Sequence, residues 1–416
     1  MDAEHALGLF DGFGVELEYM VVDRDSLGVR PVVDDLIERV TGSISADVER
    51  DDLEWSNELV SHVLELKTAG PAPSLEPLAR RFHEEVLAVH GYLEPLSATL
   101  LGTGAHPFMD PATETRLWPH EYNEVYALYD RVFGCRGHGW SNLQSTHLNL
   151  PFKNDEEFGR LHAAIRVLLP LLPGLAASTP ILDGKDTGLA DARLDAYRRN
   201  QVRMPSLAGV VIPERVYTQR DYDRVIFQPI VQAMAPHDQD RVLDRHFLNS
   251  RGAIARFDRG SIEIRLLDLQ ECPAADLAIV SLVVEVLRLL VDGRWLGDEP
   301  VRALDEHRLA AVLLDAIRDG EQARVRDTEV LHAVGWRRGE VDLIRLWGHL
   351  ADEAGARLTA EVGRGIERIL TQGTLATRIR RALGEAWGRE ELVAVYRSLG
   401  EALRANRLFE PDRPRT

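Results

Sequence analysis

Between residues 13 and 22 the chain alternates in polarity. Phe13, Val15, Leu17 and Tyr19 fall on one side, and Gly14, Glu16, Glu18 and Met20 on the other. A period of two predicts a strand. Asp25-Ser26-Leu27-Gly28 reads as a turn. Residues 33–40 read as a short helix with a polar face, and 59–66 as a second strand ended by Gly70-Pro71. Helical spacing covers 74–100, with Ser74 as the expected N-cap. Residues 142–150 read as a third strand closed by Pro151, and 156–172 as a helix. Residues 183–219 are polar and rich in loop formers, which suits a substrate-facing region together with 136–140. Residues 253–258 and 261–267 flank Arg259-Gly260 as a hairpin, and 273–290 form a long helix. From 300 to 408 only helical patterns occur, broken at Gly320, Gly339, Gly355 and Gly373. The pattern predicts an α+β protein, an antiparallel-rich sheet with helices over 1–295 followed by a helical part over 296–416.

The predicted strands carry residues that a simple amphipathic strand does not need. Glu16 and Glu18 share a face, about 7 Å apart by strand rise. Two anions on one side of an otherwise apolar strand repel, and their burial is costly unless a cation lies between them. The choice is between a solvated edge and an oxygen-rich magnesium site. Glu58 and Glu65 are seven apart, so a regular strand puts them on opposite faces, and Glu58 is expected just before the strand or across a bulge. Lys67 is expected to act on Glu65 only indirectly. Ser145, His147 and Asn149 share a face; His147 is either a hydrogen-bonded core residue or a metal or phosphate ligand. Glu263 and Arg265 share a face while Ile262, Ile264 and Leu266 take the other. That pair reads either as a surface salt bridge or as a metal carboxylate beside a phosphate-binding arginine, whose planar fork suits phosphoryl oxygens. No single motif decides between these readings, but a sheet that gathers acids from several strands with one histidine and one arginine would form a multi-metal cradle.

Composition narrows the partners. The chain has 416 residues, 45% hydrophobic and 28% charged, with a formal net charge of −18. Such acidity argues against a nucleic-acid-coating protein, and no polybasic stretch is present for an anionic membrane. Cys135 and Cys272 are the two cysteines, too few for a disulfide framework or a thiolate zinc site. Residues 1–14 lack a basic leader region, and the apolar run 277–291 is interrupted by Glu285 and Arg288, so it reads as a buried helix. A cytoplasmic location is expected. No phosphate-binding P-loop, dinucleotide fingerprint, serine-hydrolase elbow or His-Glu-x-x-His zinc helix is present in the sequence.

The ordered set Phe13-Gly14-Val15-Glu16-Leu17-Glu18, Glu58-Leu59-Val60 running to Glu65, Ser145-Thr146-His147-Leu148-Asn149 and Ser261-Ile262-Glu263-Ile264-Arg265-Leu266-Leu267-Asp268 resembles the glutamate–cysteine ligase superfamily, in its bacterial carboxylate–amine ligase branch. The resemblance covers roughly 13–290. It implies a glutamine-synthetase-like fold, whose curved antiparallel sheet cradles ATP and two or three magnesium ions, with manganese able to substitute. It implies phosphorylation of a carboxylate followed by attack of an amine, as in glutathione biosynthesis. By motif, Glu16, Glu18, Glu58, Glu65, His147 and Glu263 become metal-ligand candidates. Arg265 and Glu263 become the catalytic pair, and Arg265, Arg256 and Asn149 the nucleotide and substrate contacts. Many relatives carry a second histidine where Asn149 stands, so a substrate contact suits Asn149 better than a metal role. The expected partners are a small amino-acid or carboxylate donor and an amine, and a homo-oligomer is compatible. The rival readings are a phosphotransferase of guanidino compounds on the same fold, or a regulatory protein that binds nucleotide and metal without turnover.

Overall fold

The computed structural model describes residues 7–239 and 242–411. The first six residues, on which part of the leader reading rests, lie outside it.

Eight strands build one open antiparallel sheet. They are β1 (Gly14–Asp23), β2 (Asp47–Arg50), β3 (Leu53–Asn57), β4 (Val63–Thr68), β5 (Ala98–Leu101), β6 (Ser145–Pro151), β7 (Ala253–Arg256) and β8 (Ser261–Asp268). Their order is β2-β3-β4-β1-β6-β8-β7, with β5 also paired to β1. The long strand β1 is the hub. Residues Gly14–Leu17 pair with β6 and Met20–Asp23 with β5, so these two strands share one edge end to end. β4 occupies the other edge. The inner face follows from the alternation: Val15, Leu17, Tyr19 and Val21 are fully buried.

Helices pack around the sheet. The chief ones are α1 (Val33–Thr41), α2 (Leu78–Leu93), α3 (Asn123–Phe133), α4 (Asp155–Leu168), α5 (Ala192–Tyr197) and α6 (Pro273–Val291). The later chain adds α7 (Glu306–Asp319), α8 (Leu343–Ala354), α9 (Ala360–Gln372), α10 (Leu375–Leu383) and α11 (Arg389–Arg404). α6 is apolar nearly all round, as a buried central helix should be. No helix among the described residues is long and apolar enough to cross a membrane. Residues of α7, α8 and α9 join the same hydrophobic cluster as β1 and α6. Trp347 of α8 ties this packing with a hydrogen bond from its indole N–H to Leu171 O at 2.8 Å.

Several expected elements shift. The strand expected at 59–66 begins only at Val63 and runs on to Thr68 as β4; residues 58–62 form a corner after β3, and β2 and β3 were not anticipated. The helix expected over 74–100 covers Leu78–Leu93 only; Pro95 lies in a single 3-10 turn, and β5 follows. All four β5 residues are buried, and a short run buried on both faces carries no period that separates strand from helix. Ser74 does not cap α2: its hydroxyl accepts from Glu76 N at 3.2 Å, and the helix starts after Pro77 without a side-chain cap. The helical tail also contains a two-residue ladder, Arg324–Val325 against Val341–Asp342. The loop-rich stretch 183–219 includes α5.

Candidate active site

The cradle forms because antiparallel register brings alternating residues of four strands onto one line. Glu16 lies opposite His147 and Lys67, Glu18 opposite Glu65, and Gly14 opposite Asn149, which faces Glu263 on its other side. Even positions of β1 therefore meet odd positions of β4, β6 and β8 on a single sheet face. The register between β6 and β8 slips between Ile264 and Leu267, a bulge at Arg265 of the kind that aims a side chain beside an active site.

His147 sits at the centre. Its Nδ1 is 2.8 Å from Glu16 Oε2, and its Nε2 is 2.9 Å from Ser145 Oγ and 3.7 Å from Glu18 Oε1. Ser145 donates both its hydroxyl and its backbone N–H to Glu18 Oε2, at 2.7 and 2.6 Å. With the hydroxyl proton committed to Glu18, Ser145 Oγ accepts from His147 Nε2–H. The Glu16 carboxylate then asks Nδ1 to donate as well, so both ring nitrogens carry protons. The charge balance agrees. Burial opposes the imidazolium, yet Glu18 and the Glu16 hydrogen bond hold its pKa above the usual histidine range. Burial likewise opposes ionised Glu16, but His147 outweighs it and lowers the Glu16 pKa to about 2. Asn149 completes the Glu16 contacts, donating from Nδ2 at 2.9 Å.

The other acids are less well balanced. Glu65 accepts from Ser56 Oγ at 2.7 Å, yet burial and the Glu16 and Glu58 carboxylates push its pKa well up. Glu58 follows β3 at the corner, outside any strand, and lines the same cavity. Burial and Glu18 raise it to about 7. Lys67 stands 3.4 Å from Glu65 and 3.0 Å from Glu54. This corrects the expectation of an indirect role: Glu65 and Lys67 are two apart on a strand and so share its face. Burial disfavours the ammonium, but Glu65, Asp47 and Glu54 hold it above its usual range. Arg265 Nε approaches Glu263 Oε1 at 2.9 Å without hydrogen-bond alignment. Arg256 is the outer member, 3.8 Å from Glu263 and 3.3 Å from Asp258.

Glu16, His147 and Glu263 offer one group of ligand atoms within 4.8 Å of one another, and Glu18, Glu65 and His147 a second. Glu58 belongs to neither group. The cradle opens into a cavity of about 870 Å³ that also meets Asn149, Arg256 and Arg265. Five carboxylates face His147, Arg265 and Lys67, and two of them, Glu58 and Glu65, are driven towards protonation by burial and by neighbouring acids. A hard divalent cation bound through oxygens fits this donor set. His147 has to shed a proton to serve it as a ligand.

Sequence reading missed several neighbours. Ser56 and Glu54 enter from β3, and Tyr126 from α3. Arg193 of α5 forms a buried ion pair with Asp268 at the end of β8. Asp268 also accepts from Ser178 N at 2.8 Å and Thr179 Oγ1 at 3.0 Å. No local pattern marks Arg193; only the buried acid that ends β8 hinted at a cationic partner.

Residues 12–398 match the model of glutamate-cysteine ligase family 2. An uncharacterized protein of Archaeoglobus fulgidus is 31% identical over 396 residues, covering 95% of this chain and 99% of its own. The protein named "Putative glutamate--cysteine ligase 2" of Cupriavidus metallidurans is 31% identical over 190 residues, 44% of this chain and 46% of its own. In fold, the chain is similar to a bifunctional glutathione synthetase from Pasteurella multocida, with a TM-score of 0.62 and 14% identity. That match covers 95% of this chain and 53% of the other, so the chain spans about half the length of that structure, as it does of the Cupriavidus protein.

Proposed function

The chain belongs to glutamate-cysteine ligase family 2, and on that premise we propose that it joins a carboxylate to an amine, consuming ATP and releasing ADP and phosphate. The observation that carries this reading is the convergence of Glu16, Glu65, His147, Glu263 and Arg265 from four strands at one cavity of about 870 Å³, with Glu18 grouped beside Glu65 and His147. That volume accommodates a nucleotide and a small substrate together. Glutamate is the proposed donor, and cysteine or another small amine the acceptor.

In this reading Glu16, Glu18, Glu58, Glu65, His147 and Glu263 would hold magnesium, which would supply positive charge to the phosphates of ATP. The donor carboxylate attacks the γ-phosphorus, ADP leaves, and the acyl phosphate then yields amide and phosphate as the amine attacks. A carboxylate is a poor electrophile, and phosphorylation converts one of its oxygens into a leaving group. Arg265 lies against the transferring phosphoryl group, where its charge, held in place by Glu263, stabilises the transition state. Glu263 thus serves both as ligand and as the residue that orients Arg265. Asn149 fixes Glu16 and presents an amide to substrate, and Arg256 meets the nucleotide from the outer strand.

Donor labelled with heavy oxygen in its reacting carboxylate tests the chemistry. Label is expected in the released phosphate. Unlabelled phosphate would indicate plain ATP hydrolysis, and labelled AMP would indicate adenylation; either result rejects the proposal.

A further inference from the structure

A second cavity, of about 550 Å³, lies on the other side of β1 from β4, where α11 crosses β5 and the end of α2. None of the cradle residues lines it. Three exposed arginines, Arg24, Arg397 and Arg404, stand around it with Glu94 and Glu401. Arg397 also bonds Asp25 O, and Arg404 Nη2 donates to Thr99 Oγ1 at 3.4 Å.

Two buried side chains of the lining have polar atoms with no partner among the described residues. They are Tyr396 Oη and His90 Nε2, on residues 0% and 3% exposed. A buried tyrosine hydroxyl or imidazole nitrogen ordinarily finds a partner. The tautomer of His90 follows from its neighbour. Thr99 Oγ1 accepts from Arg404, which leaves the Thr99 hydroxyl proton for His90 Nδ1, 3.3 Å away. The ring proton then sits on Nε2. Burial, with the charges of Arg404 and His83 nearby, keeps this imidazole neutral, with its pKa lowered to about 3. His90 Nε2–H and the Tyr396 hydroxyl are thus two donors without acceptors, on residues that line a cavity with three arginines and two glutamates. Leu27, Leu87, Leu100 and Leu101 supply an apolar wall.

We propose that this cavity is a second ligand site, separate from the cradle, for a small organic anion whose carboxylate or phosphate is bound by Arg397 and Arg404, with its oxygens accepting from Tyr396 and His90. Arginine forks suit either oxyanion, and the leucines fit a short carbon skeleton. The assignment does not depend on the ligase reading.

Calorimetric titration of the full chain with inorganic phosphate and, separately, with propionate tests it. Binding of one anion is expected in the wild type and in Arg265→Ala, which is altered only in the cradle. The double variant Arg397→Ala/Arg404→Ala, changed at exposed positions, should weaken that binding by about tenfold or more, the scale of losing charge-assisted hydrogen bonds. Tyr396→Phe, which keeps the ring packing, should weaken it by a smaller factor. Phosphate binding alone identifies a phosphoryl ligand, and propionate binding alone a carboxylate. Failure of both anions to bind the wild type overturns the proposal. So does binding that is lost in Arg265→Ala and unchanged in the double variant.

Discussion

Glu16 and Glu65 carry the same side chain on neighbouring strands and are opposite in their effect on the fold. Glu16 is ionised and held by His147, with its pKa lowered to about 2. A lowered carboxylate contributes stability that is present above its unfolded value and lost as pH falls through the folded one. Glu65 is pushed the other way by burial and by neighbouring acids, so at neutral pH it costs stability. Melting of metal-free protein at pH 7.5 should therefore separate two isosteric changes. Glu16→Gln should lower the melting temperature, whereas Glu65→Gln, whose amide oxygen can still accept from Ser56, should raise it. Both should lose nearly all turnover. Equal shifts of the same sign would show that the cradle is not charge-unbalanced. Arg265 offers a complementary test in kinetics. Arg265→Lys keeps a cation but loses the fork, and kcat should fall by on the order of 10²-fold, the usual scale for an electrostatic stabiliser. A change confined to KM for ATP would assign Arg265 to ground-state binding alone.

At the scale of elements, the site depends on register more than on any single strand. Gly14 lies opposite Asn149, and a Cβ there would come within 2.8 Å of Asn149 Cβ. The missing side chain lets Asn149 lie over β1 and reach Glu16 at 2.9 Å. Gly14→Ala should displace that amide and lower kcat/KM by about tenfold or more, since small misplacements at a reacting centre are costly. Because Asn149 Cβ can give way only with its strand, the melting temperature should fall as well, and wild-type kinetics in this variant would remove Asn149 from the positioning role. The same dependence explains what was legible beforehand. Alternation exposed Glu16 with Glu18, Ser145 with His147 and Asn149, and Glu263 with Arg265, because each group lies within one strand and period two is a local property. The pairing of those strands is not local. The corner that carries Glu58 and the bulge at Arg265 come from how β3, β4, β6 and β8 meet. β5 was hidden because a four-residue run buried on both faces shows no period. Arg193 was hidden because α5 reaches Asp268 only through tertiary packing.

For the whole molecule, β1 shows how one strand serves two ends. Its outer face carries Glu16 and Glu18, but two residues further on Met20 and then Val22 join an apolar cluster with Ile379 of α10 and Leu392 and Leu399 of α11. The C-terminal helices thus cover the part of the sheet face that the cradle does not use. The price of so much enclosed surface is a set of histidines shut in the interior as neutral rings. Burial lowers His62 and His106 to about 4, and His90 and His162 to about 3. In these groups the unfolded chain binds protons more readily than the folded one. Stability is therefore unaffected above the unfolded value near 6.5 and is lost progressively as pH falls towards 3–4. Buried acids with raised pKa values, such as Asp191 and Asp276, act in the opposite sense, so the net acid response of the wild type mixes both. A single substitution separates them. His162 stacks on Phe158 with ring centroids 5.2 Å apart, and its Nδ1 is 2.9 Å from Val216 O. His162→Gln should be less stable than the wild type at pH 7.5, having lost the stacked ring. Below pH 6.5 the deficit should shrink by about 1.4 kcal/mol per pH unit, because only the wild type must keep a neutral imidazole buried while its unfolded form protonates. Urea unfolding of both proteins at pH 7.5, 6.0 and 5.0 measures this slope. A stability difference that stays constant across those three values would mean that His162 is protonated in the folded chain or reaches solvent.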